Sequence, residues 1–275
     1  MNSQRQHKQF QLAQNFLRSE RLVRKLVELA NISARDTVLD VGAGRGVITA
    51  ELARRADRVI AIEKDPRLVR SLRERFRAAS NIDIIECDFL SFRIPVRDYK
   101  VFANIPYNMT AAIVRKLLDP RDGPREAHLI MQKEPAKKFA GLPNETLFSV
   151  LAKPHFEFSI VHHLRRTDFR PVPDVDSVMV RITRRATPLI DDLAAYREFV
   201  QYGFTRYKPN LRLAYKTVFT YKQWKRLAGD LRFGVNATPT ELKFDQWLEL
   251  YRIYLRLCHR KPSDGPAGSN QQSGS

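Results

Sequence analysis

Asp40-Val41-Gly42-Ala43-Gly44-Arg45-Gly46 decides the fold of this chain. It follows a short β-branched, apolar run, Thr37–Val41, and leads directly into helical spacing over residues 47–55. Glycines at 42, 44 and 46 let the backbone adopt positive φ and approach a ligand closely. A glycine-rich turn alone is an ordinary strand-to-helix connection, so its neighbours must decide. Residues 58–63 read as a second strand and 66–77 as a helix with proline at its start. Strand patterns recur at 82–87, 100–103 and 127–131, and helical ones at 110–118 and 146–153. This alternation predicts an α/β, Rossmann-like domain, a mostly parallel sheet with helices on both faces. Residues 156–164 and 177–183 alternate as a closing antiparallel pair would.

The pattern changes near Ala186. From 189 to 257 the spacing is helical, as in Trp247, Leu248, Tyr251, Tyr254 and Leu255. The expected organisation is a catalytic domain over 1–186, a small all-α domain over 187–262, and a disordered tail over 263–275. The tail is made of Gly, Ser, Asn, Gln and Pro.

Three carboxylates stand at or near the ends of successive predicted strands: Asp40, Glu63 and Asp88. Open α/β sheets bind ligands at the carboxyl ends of their strands. Glu63 can accept from the ribose hydroxyls of a nucleoside, and Asp88 from an adenine amino group. A dinucleotide fingerprint wants a small residue at position 47, but Val47 stands there and the third glycine comes one position early, at Gly46. The spacing G-x-G-x-G, preceded by an acid, favours S-adenosylmethionine as cofactor.

Asn104-Ile105-Pro106-Tyr107 directly follows the fourth predicted strand and is the most specific signal in the chain. An adenine amino nitrogen is a poor nucleophile because its lone pair is delocalised into the ring. Two acceptors aimed at its hydrogens draw it towards a pyramidal, nucleophilic geometry. The side-chain oxygen of Asn104 and the backbone carbonyl of Ile105 can form that pair. Pro106 fixes φ and stiffens the loop. Tyr107 offers a flat face to a flipped-out base.

Lys and Arg number 48 against 30 acids, a formal net charge of +18, which points to a polyanionic partner. The helical segment carries Arg206, Lys208, Arg212, Lys216, Lys222, Lys225, Arg226 and Arg232, interleaved with Tyr207, Tyr215, Tyr221 and Trp224. The cations read as an RNA-backbone surface, the aromatics as helix core. Lys133, with Lys137 and Lys138, extends the basic surface. No apolar run approaches the roughly 20 residues that span a bilayer, and residues 1–10 lack an apolar signal core. A cytoplasmic monomer without membrane contact is expected. Cys87 and Cys258 each stand alone, so neither a metal cluster nor a disulfide framework is expected.

Taken together, these motifs make the chain resemble the ribosomal RNA adenine-N6 methyltransferases. Within them it is most similar to the Erm-type 23S enzymes that confer macrolide, lincosamide and streptogramin B resistance. The resemblance spans roughly residues 8–260. It is carried by Gln14-Asn15-Phe16-Leu17, the Asp40–Gly46 loop, Glu63, Cys87-Asp88-Phe89, residues 104–108, and Phe169-Arg170-Pro171-Val172-Pro173 with Val175 and Ser177. It implies that Gln14 and Asn15 touch the cofactor's edge and that Gly42 and Gly44 face its methionine part. Asn104 would serve both cofactor and target, and Phe169 would form a second aromatic wall for the base. It also implies ribosomal RNA as partner, 23S RNA acted on before the ribosome is fully assembled. Ile105 and the segment Phe244-Asp245-Gln246-Trp247-Leu248 favour the 23S branch, whereas Met131-Gln132-Lys133-Glu134 is similar to the 16S dimethyltransferases of the KsgA type. DNA adenine methyltransferases usually carry proline where this chain has Ile105.

Overall fold

Alternation along the strands sorts the sheet's side chains onto two faces. In the structure, a computed structural model, residues 16–95, 98–119, 122–205 and 208–258 are described. In chain order the strands are β1 (Phe16–Leu17), β2 (Thr37–Val41), β3 (Arg58–Glu63), β4 (Ile82–Glu86), β5 (Lys100–Asn104), β6 (Glu126–Gln132), β7 (Phe156–Leu164), β8 (Phe169–Arg170) and β9 (Ser177–Arg184). Seven of them make one sheet in the order β4-β3-β2-β5-β6-β9-β7. β2, β3, β4, β5 and β6 pair in parallel. β9 joins β6 and β7 antiparallel, as their alternating polarity predicts. The architecture is the expected Rossmann-like one.

The first unit, Met1–Leu193, has helices on both faces of this sheet. They are α1 (Glu20–Leu29), α2 (Val47–Ala53), α3 (Pro66–Arg75), α4 (Thr110–Leu117), α5 (Lys133–Ala140) and α6 (Leu147–Ala152). Val38, Val59, Phe102, Ile130 and Met179 pack with Leu26 and Leu52 on one face. Their neighbours Leu39, Ile60, Val101, Leu129 and Val180 pack with Ile113, Val114 and Leu117 on the other. Sequence patterning did not separate α1 or α5, and the two-residue ribbon of β1 with β8 pairs residues far apart in the chain, Phe16 with Arg170 and Leu17 with Phe169.

The second unit, Ala194–Ser275, is helical where described. Its helices are α7 (Leu193–Thr205), α8 (Leu211–Ala214), α9 (Tyr221–Asp230) and α10 (Phe244–Cys258). Its core is aromatic. Phe199 stacks on Tyr215 at 4.8 Å between centroids, and Phe204 on Trp247 at 5.4 Å. Buried aromatic rings with polar tips require partners. Trp224 Nε1 donates to the carbonyl of Val235 at 2.9 Å, Trp247 Nε1 to that of Pro239 at 3.1 Å, and the Tyr215 hydroxyl to that of Phe199 at 2.6 Å.

The units part after Leu193 rather than after Ala186. The intervening segment belongs to the first unit: Leu189 donates its N–H to the carbonyl of Pro154 at 3.0 Å, and Ile190 is buried.

Candidate active site

At β2 the strand order turns, with β3 on one side and β5 on the other. The loops at that switch point diverge and leave a crevice. A cleft of about 1190 Å³ lies there, lined by Gly42, Gly44, Glu63, Asp88, Asn104 and Tyr107 among others. Residues chosen from sequence at the carboxyl ends of four separate strands therefore meet in one place.

Gly42, Gly44 and Gly46 all have positive φ, of 77°, 57° and 75°. A Cβ on Gly42 would meet no atom within 4 Å, so the space beside it opens into the cleft. A Cβ on Gly44 would come within 2.9 Å of the Phe16 ring. Phe16 and Leu17 line the cleft, and the Arg45 guanidinium lies 5.1 Å from the Phe16 ring centroid. Gln14 and Asn15 lie outside the described residues.

Glu63 ends β3 and is buried. Its Oε2 accepts from the Gly44 amide at 2.9 Å, and its Oε1 from the amides of Lys64 and Asp65 at 2.8 and 2.9 Å. A carboxylate has about four acceptor positions. Glu63 thus braces the glycine loop and retains room for about one further donor, fewer than the two ribose hydroxyls foreseen.

Asp88 is half-exposed on the cleft. Its Oδ1 accepts from the Leu90 amide at 2.9 Å, and its Oδ2 lies 3.9 Å from Lys64 Nζ. The loop after it is held by Lys116 on α4, whose ammonium donates to the carbonyls of Phe89, Leu90 and Phe92. Burial lowers the Lys116 pKa, against the pull of Cys87 and Asp88. Lys116 belongs to no motif and carries no signal in the sequence.

Asp40 does not reach the cleft. Strand alternation puts it on the same face as Val38, beneath α2. Its Oδ2 accepts from the Thr49 hydroxyl at 2.6 Å, while its buried Oδ1 has no hydrogen-bond partner among the described residues. Burial, with the nearby Glu63 charge adding to it, pushes its pKa up to about 7. The expectation that Asp40 faces the ligand is corrected accordingly.

Asn104 is the last residue of β5, opposite Ile130 of β6. The Ile105 amide donates to the carbonyl of Ile130 at 3.0 Å, and its side chain is buried. Pro106, at φ −57°, leads into the short turn Tyr107–Met109. Phe169 is the second correction. It is 0% exposed and packs among Leu17, Val23 and Phe102. Alternation in β8 turns Phe169 inward, and it is Arg170 and Pro171 that line the cleft.

Outside the cleft, Lys133 opens α5. Lys208, Lys216 and Arg226 are exposed in the second unit and Arg212 is half-buried; Arg206 and Tyr207 lie outside the described residues. Tyr215 and Trp224 are core, as the sequence reading preferred, but Tyr221 is 61% exposed, with the Arg212 guanidinium 5.7 Å from its ring centroid. No group of three or more metal-ligating side chains occurs among the described residues.

A glycine cradle, a braced acid and Asn-Ile-Pro-Tyr on one cleft match a known family. The model of the family described as "Ribosomal RNA adenine dimethylase" matches residues 5–255. The chain belongs to that family. Among curated relatives, the rRNA adenine N-6-methyltransferase of Bacillus licheniformis is 32% identical over 252 residues, covering 90% of this chain and 88% of that protein. The ribosomal RNA small subunit methyltransferase A of Acaryochloris marina is 31% identical, covering 86% and 94%. The crystal structure of the 23S rRNA methyltransferase ErmE superposes with a TM-score of 0.81 at 32% identity, covering 89% of this chain and all of that one, 100%. This member of the ribosomal RNA adenine dimethylase family is an rRNA adenine-N6 methyltransferase that uses S-adenosylmethionine. The cradle suits that cofactor: the open space at Gly42 and the partly satisfied Glu63 leave room for a nucleoside and its amino-acid arm.

Proposed function

We propose that this enzyme methylates N6 of an adenine in 23S ribosomal RNA, once or twice, at the peptidyl-transferase site where macrolides bind. Expression would then confer macrolide, lincosamide and streptogramin B resistance. The observation that carries this reading is the alignment of the whole ErmE chain with this one at 32% identity. Ile105 within the motif points the same way. The enzyme acts as a cytoplasmic monomer on RNA not yet fully assembled into ribosomes.

Bound S-adenosylmethionine supplies an electrophilic methyl group. Gly42 and Gly44 accommodate its methionine arm, Glu63 takes a ribose hydroxyl, Asp88 accepts from its adenine amino group, and Gln14 and Asn15 touch its edge. Asn104 and the Ile105 carbonyl accept the two N6 hydrogens of the target, keeping its lone pair pointed into the cleft. Tyr107 stacks on the flipped base. No strong base is needed, because these fixed acceptors stabilise the positive charge that develops on nitrogen. The surplus proton then leaves to water. Lys208, Arg212, Lys216 and Arg226 of the second unit, together with Arg206, hold RNA phosphates, and Lys133 of the first unit makes a further phosphate contact. Residues 263–275, expected from composition to be a disordered tail, lie outside the described residues.

The test is methyl transfer from labelled S-adenosylmethionine to protein-free 23S and 16S RNA, followed by primer extension. Label at one 23S adenine is expected. Label confined to 16S RNA would favour a second reading, the KsgA-type dimethyltransferase of ribosome maturation, which the Acaryochloris relative supports.

A further inference from the structure

Tyr107 is secured at both ends. Its main chain lies in a short turn where the Met109 amide donates to the Pro106 carbonyl at 2.9 Å. The Thr110 hydroxyl reaches the carbonyls of Pro106 and Tyr107 at 3.3 and 3.2 Å. At the far end, the Tyr107 hydroxyl lies 2.7 Å from Oγ of Ser177. Ser177 opens β9 opposite Gln132, the last residue of β6, and is 1% exposed. The ring therefore spans from the end of β5 to the start of β9, with its body on the cleft wall.

We infer that Ser177 is a positioning residue for methyl transfer, tethering the Tyr107 hydroxyl so that the ring face is set before the target base arrives. A side chain fixed in its bound orientation loses less freedom on binding, so the base is captured more readily. The bond to Ser177 favours the χ1 and χ2 at which the hydroxyl reaches the serine, and so sets the direction of the ring face. The serine is positioned by the β6–β9 ladder, which is stiff, rather than by the loop that follows Pro171. The inference rests on the proposed stacking role of Tyr107.

The experiment is a double-mutant cycle of Tyr107→Phe and Ser177→Ala, with Ser177→Thr and Tyr107→Ala beside it. Single-turnover methylation of protein-free ribosomal RNA is measured at subsaturating RNA, with S-adenosylmethionine affinity by calorimetry and the urea midpoint alongside. One hydrogen bond is lost in each single variant, so each should slow the reaction by about three- to tenfold. The double variant should be no slower than the slower single one, because both remove the same bond. Ser177→Thr keeps a hydroxyl and should stay near the unmodified enzyme. Cofactor affinity should barely move and the midpoint should fall no further than the loss of one hydrogen bond explains, whereas a general packing role for Ser177 would lower both more. Losses that multiply in the double variant, or a Ser177→Ala enzyme as fast as the unmodified one, overturn the tether. Tyr107→Phe breaks the same bond from the cleft side and keeps the cycle informative if Ser177→Ala folds poorly. A harmless Tyr107→Ala would instead end the stacking reading itself.

Discussion

Asn104 and Tyr107 stand three residues apart and, in the mechanism proposed, act on different parts of the same base. In the proposed mechanism Asn104 accepts from the amino group as charge develops there and also meets the cofactor, so Asn104→Ala should lower the single-turnover rate by about 10²–10³-fold, a larger loss than that in cofactor affinity. Tyr107→Ala should weaken RNA capture by about 1–3 kcal/mol, read as a rise in the RNA concentration needed for half-maximal rate. Asp40 acts on stability. Its folded pKa of about 7 exceeds the ordinary 3.8, so the folded protein holds a proton that the unfolded chain releases between those values. The Asp40 contribution is most favourable below about pH 4 and is lost as pH rises towards 7. Asp40→Asn cannot ionise and should flatten that decline, as compared by urea unfolding at pH 5 and pH 8; parallel pH dependences in both proteins would show Asp40 is not the titrating group.

At the scale of elements, the turn from β2 into α2 is the most constrained piece of backbone. Gly46 caps α2 at φ 75°, and a Cβ there would lie 2.6 Å from Leu72 and 2.7 Å from Phe76. A left-handed conformation costs a non-glycine residue about 1–2 kcal/mol before any clash. Gly46→Ala should therefore lower unfolding free energy by at least about that amount, measured by urea denaturation. The loop after β4 depends on α4 instead. Lys116 satisfies its carbonyls and lies over the Phe89 ring at 4.6 Å. Lys116→Met keeps the length but leaves those carbonyls unpaired, so cofactor affinity should fall, by calorimetry, as Asp88 loses its fixed position. Unchanged affinity would mean that Leu90 capping by Asp88 holds the loop on its own.

For the whole molecule, the charge of +18 sets how RNA is approached. RNA affinity should fall steeply with salt, because each neutralised phosphate releases counterions. Exchanging the exposed Lys216, Lys222, Lys225 and Arg226 for glutamine should flatten the plot of log affinity against log salt while leaving cofactor affinity alone. A slope untouched by these four changes would put the main RNA surface on the first unit.

Sequence alone determined what depends on local chemistry. The apolar strands at 37–41 and 58–63, the alternating one at 156–164, helices between them, the glycine loop, and Asn104 to Tyr107 after a strand were all legible, because apolar runs, side-chain alternation and turn residues are written in neighbouring positions. The gathering of Gly42, Glu63, Asp88 and Asn104 on one cleft followed from the rule that parallel strands share a carboxyl edge. Only the tertiary structure decided the direction of individual side chains. Asp40 and Phe169 turned inward, since a strand sends successive residues to opposite faces and burial chooses which face. Lys116 and Ser177 entered the site from α4 and β9, far along the chain from the residues they hold. Contacts of that kind depend on which elements pack together, and no local pattern of residues encodes them.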